Sequence, residues 1–432
     1  MTTVQITPAK LKGTVTIPAS KSDCHRAIIC ATLSMGKCTI SPITLSQDIE
    51  ATISCVNALG AKTEVKGDTL TIDSSHLFSS GRGTFDCCES GSTLRFFIPV
   101  VSALGISSHF VGKGRLPQRP IGIYLDLLPN HGVECETEGG LPLDTKGELQ
   151  SGTYSLPGNV SSQFVTGLLL ALPLLNGDSK IVLTSPLESV GYVNMTIDTM
   201  KRFGVTAEET EYGYFVKGNQ HYTPHDYTVQ GDWSQAAFFM VAGAFGGEIT
   251  VKGIDPNSTQ GDREICNLIK KFGADIEIGT DFVKVKNKGD LRGINIDASQ
   301  IPDLVPVLAV CGSGAYGVTK IYNAERLRIK ESDRLKTTCE AINNLGGMVA
   351  EVDDGLIVQG AGMLNGGKAE GCNDHRIVMA SAVASIISRN KVTVTDAQAI
   401  NKSYPNFFED FKKLGGNVTV SYTHLTLPTN RE

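Results

Sequence analysis

The chain has little of what would place it in a membrane, around a metal or on a nucleotide. Its longest apolar run, Phe164–Leu175, is too short to span a bilayer and is broken by Pro173. The opening MTTVQITPAKLKG holds no apolar stretch of the secretory kind, so no export signal is expected. There is no C-x-x-C pair and no His/Cys spacing suited to zinc, and no metal is expected. The 11 cysteines are odd in number and scattered, with Cys87 beside Cys88. They read as reduced thiols of a cytoplasmic protein, not as a disulfide framework. No G-x-x-x-x-G-K followed by Ser or Thr occurs, and GKGRLP lacks the third glycine of a dinucleotide fingerprint. There is no basic excess either: the formal net charge of -6 argues against nucleic acid as the main partner.

What remains is an ordinary globular composition, 41% hydrophobic and 19% charged, in 432 residues, enough for two or three domains. A diffuse negative surface still allows a local cluster of Lys and Arg to hold an anionic small molecule.

Repeats organise the chain. Helical stretches end in glycine at Gly60, Gly132, Gly204, Gly273, Gly346 and Gly415, roughly 70 residues apart, where a helix C-cap needs the left-handed conformation. Pairs of short alternating runs follow, such as AKTEVKG with DTLTIDS, and read as hairpins. A second series interleaves: six helices, apolar nearly all round, begin near Ser22, Ser92, Ser162, Ser234, Asp303 and Asp374. The unit is strand–helix–strand–helix–strand–strand, with Thr14–Ile17 expected to open the first one. Six such units suggest two domains of three. The sixth lacks a strand, which VQIT at the N-terminus could supply. The expected boundaries are 14–228 for one domain and 1–13 with 229–418 for the other, the chain crossing near Lys12–Gly13 and again near Thr228–Asp232. Two hinge strands would allow closure over a ligand. The end, SYTHLTLPTNRE, continues no pattern, and residues 419–432 read as a non-native tail.

If the apolar helices lie parallel in each domain, their N-termini face one cleft. The six corners then carry Lys21, Ser22 and Arg26; Glu89, Ser90, Gly91, Ser92 and Arg95; Ser161, Ser162 and Gln163; Asp232, Trp233 and Ser234; Asp303; and Asp374, His375 and Arg376. Ser and Asp suit N-caps, so capping alone could account for them. It does not account for Lys21, Arg26, Arg95 and Arg376, since the macrodipole disfavours cations there, and a bound anion would offset that. Arg119 in GKGRLPQRP and the run RLRIKESDR at 326–334 add further charge where strands feed helices. Cys24 beside His25 suggests a nucleophile, but neighbours on a helix point about 100° apart and do not face each other. Asp303 and Glu331, carboxylates among cations, are better candidates for proton transfer.

Taken together, SKS…R, ESGSTLRF, LPQRP, SSQFVTGLLLALPLL, GDWSQAAFF, IPDLVP, LRIKESDR, NDHRIVMA and KSYPNFFEDFKKLGG, spread in order over about Val4–Gly416, closely resemble the 3-phosphoshikimate 1-carboxyvinyltransferases, or EPSP synthases. The resemblance implies an α/β, two-domain inverse α/β barrel-like fold of six βαβαββ units. It implies transfer of the enolpyruvyl group of phosphoenolpyruvate to shikimate 3-phosphate, a step towards chorismate and the aromatic amino acids, without metal or organic cofactor. Lys21 would touch both substrates. Ser22, Arg26, Ser161, Ser162, Gln163, Ser189, Asp303 and Lys330 would hold shikimate 3-phosphate, with Tyr192 close by. Gly91, Arg119, Gln163, Arg334, Arg376 and Lys402 would bind phosphoenolpyruvate. Asp303 matches the family's proton acceptor and Glu331 a second acid/base residue, with Asp374 and His375 flanking. A cytoplasmic monomer with no membrane or nucleic-acid partner is expected. Glu89 and Arg326 stand where some members carry Asn, so no shikimate 3-phosphate contact is carried to Arg326.

Two rival readings stand beside this one. The sibling family acting on UDP-N-acetylglucosamine typically has cysteine five residues before the arginine matching Arg119, where this chain has Gly114. A non-catalytic anion-binding protein on the same fold would not need both Asp303 and Glu331.

Overall fold

The computed structural model describes residues 2–77 and 82–422. Its strands form six four-stranded sheets of one pattern. In the second, Arg82–Asp86 runs parallel to Ser107–Val111, which pairs antiparallel with Leu143–Gly147, itself paired antiparallel with Val133–Glu136. The parallel step needs a crossover, and the helix Gly91–Ala103 supplies it. The antiparallel step is a hairpin entered through a left-handed glycine. All six expected glycines have that conformation, with φ between 82° at Gly204 and 114° at Gly273.

Two apolar cores divide the molecule. One is built from residues between Ala19 and Val229, the other from Val4–Ile17 and Trp233–Val418. Each core holds three of the apolar helices, which is why those helices have no polar face. Every residue from Trp233 to Ala244 is buried, as is every residue of Val305–Gly314 and of His375–Ala384. The outer helices show one apolar face: in Arg334–Asn344, Leu335, Ala341 and Ile342 point inwards. The fold is the expected two-domain arrangement of βαβαββ units.

The crossing differs from expectation. Gly13–Thr16 does not open the first unit of the N-terminal half; it pairs parallel with Glu248–Lys252 of the other half. Its place beside Lys37–Ser41 is taken by Tyr227–Thr228. The chain therefore crosses at Pro18–Ala19, not at Lys12–Gly13. There the two crossing strands bond to each other: Ser20 N–H donates to Gln230 O at 2.7 Å and Asp232 N–H to Pro18 O at 3.0 Å. The pattern of apolar residues reports that a strand exists, not which sheet edge it joins. Thr2–Thr7 sits between Val392–Val394 and Asn417–Tyr422, antiparallel to both. Pairing continues through Val4↔Val420 to Thr2↔Tyr422, so 419–422 complete a sheet although the expected tail began at 419. Residues 423–432 of that tail lie outside the described residues.

Candidate active site

The apolar helices of both halves send their first turns to one cavity of about 70 Å³. Its wall takes Lys21 and Ser22, Gly91 and Ser92, Ser161 to Gln163, Ser234 and Gln235, Asp303, and His375 and Arg376, so all six corners meet. Capping is done mostly one step earlier in the chain. Ser20, Ser90, Ser161 and Asp232 accept from backbone N–H groups of their helices. Ser22, Ser92 and Ser162 therefore lie inside the first turn and face the cavity. Of the residues expected to bind, Ser161 is itself a cap; Asp374, expected to flank the site, caps its own helix.

Charge is concentrated here. The wall carries seven cations (Lys21, Arg26, Arg119, Arg326, Lys330, Arg334 and Arg376) against four carboxylates (Asp48, Asp232, Asp303 and Glu331). The chain as a whole is at -6. A buried positive excess of this kind, at helix N-termini, suits a ligand with more than one anionic group.

Arg334 is the hub. It is 1% exposed; its Nε lies 2.8 Å from Asp374, Nη1 2.9 Å from Asp303 and Nη2 2.6 Å from Glu331. Asp303 Oδ2 also accepts from Arg376 at 3.0 Å and from Tyr192 Oη at 3.1 Å, with Lys330 Nζ 3.9 Å from Oδ1. Burial works against an ionised Asp303, but Arg376, Lys330 and Arg334 overwhelm it and hold the carboxyl far below the usual range. Glu331 is half-buried; desolvation works against its charge too, yet Arg334 and then Arg119 hold it well below its ordinary value. Lys330 is lowered as well, but there burial is the cause, and it brings the ammonium to about 8.

On the other wall, Arg119 stacks against Gly91. A Cβ on Gly91 would lie 2.6 Å from Arg119 Nη1 and 2.8 Å from Cζ, so only glycine leaves room for the guanidinium. Gln163 is fixed from both ends, accepting from Arg95 Nη1 at 2.6 Å and donating to Ser92 Oγ at 2.8 Å. Arg95 is positioned by a proline. Pro99 has no N–H for the Arg95 carbonyl one turn back, and Tyr124 Oη supplies that donor at 2.8 Å. Arg26 is 2% exposed, with Nε on Thr196 Oγ1 at 2.7 Å, Nη1 on Ser22 O at 2.5 Å and Nη2 on Tyr192 O at 3.0 Å. Lys21 Nζ is paired with Asp48 at 2.6 Å.

Ser189 starts the helix Val190–Arg202 in a left-handed conformation (φ 55°), a strained geometry for serine. Its Oγ accepts from Arg326 Nη2 at 2.7 Å, while Arg326 Nε faces Glu188 at 2.7 Å. Lys402, expected with this set, is not on the cavity wall. Its Nζ bonds Glu89 at 2.8 Å and Asn373 O at 2.6 Å, joining the two halves. His375 is at the wall, buried with neither ring nitrogen hydrogen-bonded, and burial followed by the nearby Lys21 charge keeps it neutral. Cys24 is buried, and burial pushes its thiol pKa up; His25 bonds Thr52 instead.

Sequence reasoning missed Asp48 as the partner of Lys21, Arg326 as a wall residue, and Asp262, whose Oδ2 lies 3.2 Å from Tyr192 Oη. Asp48 and Asp262 lie at the starts of outer helical segments, where an acidic residue reads as ordinary dipole compensation.

Comparison with known proteins agrees with this geometry. A family model described as EPSP synthase (3-phosphoshikimate 1-carboxyvinyltransferase) matches residues 6–411. A 3-phosphoshikimate 1-carboxyvinyltransferase of Clostridium novyi is 47% identical, covering 96% of this chain and 98% of the relative. One of Clostridioides difficile is 42% identical over 97% and 98%. Among solved structures, EPSP synthase from Acinetobacter baumannii superposes with a TM-score of 0.81 at 24% identity, covering 98% of this chain and 100% of that one, which bears on the fold. The chain belongs to the EPSP synthase (3-phosphoshikimate 1-carboxyvinyltransferase) family.

Proposed function

We propose that the chain transfers the enolpyruvyl group of phosphoenolpyruvate to the 5-hydroxyl of shikimate 3-phosphate, releasing phosphate, in the cleft between its domains. The observation that carries this is the buried positive excess around two carboxylates, Asp303 and Glu331, bound to one arginine. Two phosphorylated anions repel each other, and guanidinium forks at helix N-termini neutralise and orient them.

In this reading Lys21, Ser22, Arg26, Ser161, Ser162, Gln163, Ser189 and Lys330 receive shikimate 3-phosphate. Gly91, Arg119, Arg334 and Arg376 receive phosphoenolpyruvate, with Lys21 between the two. Lys402 would join them only by leaving Glu89. The 5-oxygen bonds to C2 of the enol, its proton passes to Asp303, and C3 takes a proton from Glu331. Return of a C3 proton to the Glu331 carboxylate and cleavage of the C2–O bond to phosphate restore the double bond. Both carboxylates are held ionised by their cations, so Asp303 is a weak base and Glu331 has no proton to give. Substrate anions that take over Arg334, Arg376 and Arg119 remove that stabilisation and raise both proton affinities where the reaction needs them. Action as a monomer belongs to this reading, and 11 unpaired cysteines support a reducing, cytoplasmic setting.

The test is phosphate release from phosphoenolpyruvate by purified protein. Release that depends on shikimate 3-phosphate is expected. Release with UDP-N-acetylglucosamine instead would move the chain to the sibling activity, against which Gly114 counts by being no cysteine. Binding without release would leave an anion-binding protein.

A further inference from the structure

Tyr192 Oη lies between two carboxylates, 3.1 Å from Asp303 Oδ2 and 3.2 Å from Asp262 Oδ2. A phenol has one proton and can donate to only one of them. Two ionised carboxylates would leave the second contact as lone pair against lone pair. A proton on one of the two removes that repulsion. Asp303 faces three cations, whereas Asp262, 4% exposed, forms no ion pair among the described residues. Its Oδ1 is buried with no hydrogen-bond partner, a position far less costly for a neutral carboxyl than for an anion.

We propose that Asp262 is a positioning residue for the base: held as the neutral acid, it donates to Tyr192 Oη and so commits the phenol proton to Asp303. This rests on the reading of Asp303 as proton acceptor. The placement is rigid. A Cβ on Gly191 would meet Gly261 N at 2.7 Å, so the start of the Tyr192 helix packs directly on the turn that carries Asp262. The groups facing Asp262 are Tyr192 on that helix, Asp303 on the Pro302–Leu304 turn, Arg376 on the His375 helix and Asp232 at the Trp233 helix cap. On its own turn, Arg263 bonds Pro256 O and Glu264 bonds Asn267. Burial first, and then the Asp303 charge, push Asp262 up to about 7, with Arg376 opposing. Ionisation above that pH would turn the Tyr192 proton away from Asp303 and put a second anion beside it.

The test is the kcat/KM–pH profile, which reports the free enzyme, for wild type, Asp262→Asn and Asp262→Leu. Asn keeps a donor to Tyr192 and cannot ionise. The expected result is that it retains activity at pH 6 to within a few-fold, while its alkaline midpoint moves up by about one pH unit, towards that of Lys330 near 8. Leu, which has no donor, should lower kcat about tenfold at every pH with KM for both substrates little changed. Superimposable wild-type and Asn profiles would overturn the proposal, as would full activity in Leu. Infrared difference spectroscopy gives a readout independent of turnover: a carboxylic-acid C=O band at pH 6, lost in Asp262→Asn. Its absence from wild type refutes the proposal. Its presence in a protein inactive with both substrates refutes the assigned reaction and leaves the protonated Asp262 standing.

Discussion

Replacing Gly91 by Ala tests the phosphoenolpyruvate side of the cleft without removing any charged group. The new methyl carbon would lie 2.6 Å from Arg119 Nη1, with Cζ and Nη2 each at 2.8 Å. Ordinary contact is about 3.5 Å, so the guanidinium must retreat by about 1 Å. It has little freedom to do so: Arg119 is 7% exposed, and its Nη1 faces Glu331 at 3.8 Å. A charge-assisted hydrogen bond contributes about 1.5–3 kcal/mol, so losing one to the substrate corresponds to roughly a 10- to 150-fold rise in KM. That rise should fall on phosphoenolpyruvate alone, because Ser161, Ser162 and Ser189 lie on other elements. Steady-state phosphate release with each substrate varied in turn reads the split. Gly122→Ala is the control, since a Cβ there meets nothing within 4 Å; it should leave both KM values and the melting temperature unchanged. An unchanged KM for phosphoenolpyruvate in Gly91→Ala, or an equal rise in both, would refute the assignment of Arg119 to that substrate.

Asp303→Asn keeps the volume and the bond from Tyr192 but removes the base. Turnover should fall by about 10²–10⁴, with dissociation constants for both anions within a few-fold, measured calorimetrically; undiminished turnover would remove Asp303 from the mechanism. Acid stability follows from the same ion pairs. Asp303 and Glu331 have folded-state pKa values below their unfolded ones, so their contribution is fully present above the unfolded values and is lost as pH falls through the folded ones. Thermal melts should therefore be insensitive to these groups between pH 6 and 8 and fall below about pH 4. Asp303→Asn should flatten the acid part of that curve, and an identical slope in the variant would contradict the sign of its shift.

Much of this site could be read from the sequence because the repeat puts the same element at the same place six times. A lysine or arginine just inside a helix start is unfavourable by itself, and it recurs at Lys21, Arg26, Arg95 and Arg376. What periodicity could not show was exchange between equivalent strands. Thr14–Ile17 and Tyr227–Thr228 are both short strands ahead of a helix, and only long-range pairing decides which sheet each joins. The run RLRIKESDR carried mixed information for a similar reason. Arg326, Lys330, Glu331 and Arg334 reach the cavity, while Arg328 turns outwards to Glu351, Asp333 and the Val352 carbonyl. Spacing alone does not separate them, because the 3-10 turn Glu325–Ile329 and the extended Lys330 break helical phase. Lys402 was placed by motif, which does not show that Glu89 holds its ammonium away from the cavity wall.

The division of groups between the halves bears on why the reaction needs both. The N-terminal half brings Lys21, Arg26 and Arg119 with the hydroxyls of Ser22, Ser161, Ser162 and Ser189, and its wall carboxylate, Asp48, is committed to Lys21. The C-terminal half brings Asp303, Glu331, Lys330, Arg334 and Arg376. In the proposed reaction one half would be a receptor for anionic and hydroxyl-bearing groups, and the other would hold the proton-transfer carboxylates, clamped by their own arginines. Neither would then perform the transfer alone: the first would bind without reacting, and the second would stay a weak base until an anion carried by the first displaced its arginines from the carboxylates. The two crossing strands are bonded side by side at Ser20–Gln230 and Pro18–Asp232, which ties the halves together next to the cavity. In the proposed reaction, arrival of the substrate anion and activation of the base would be one electrostatic event.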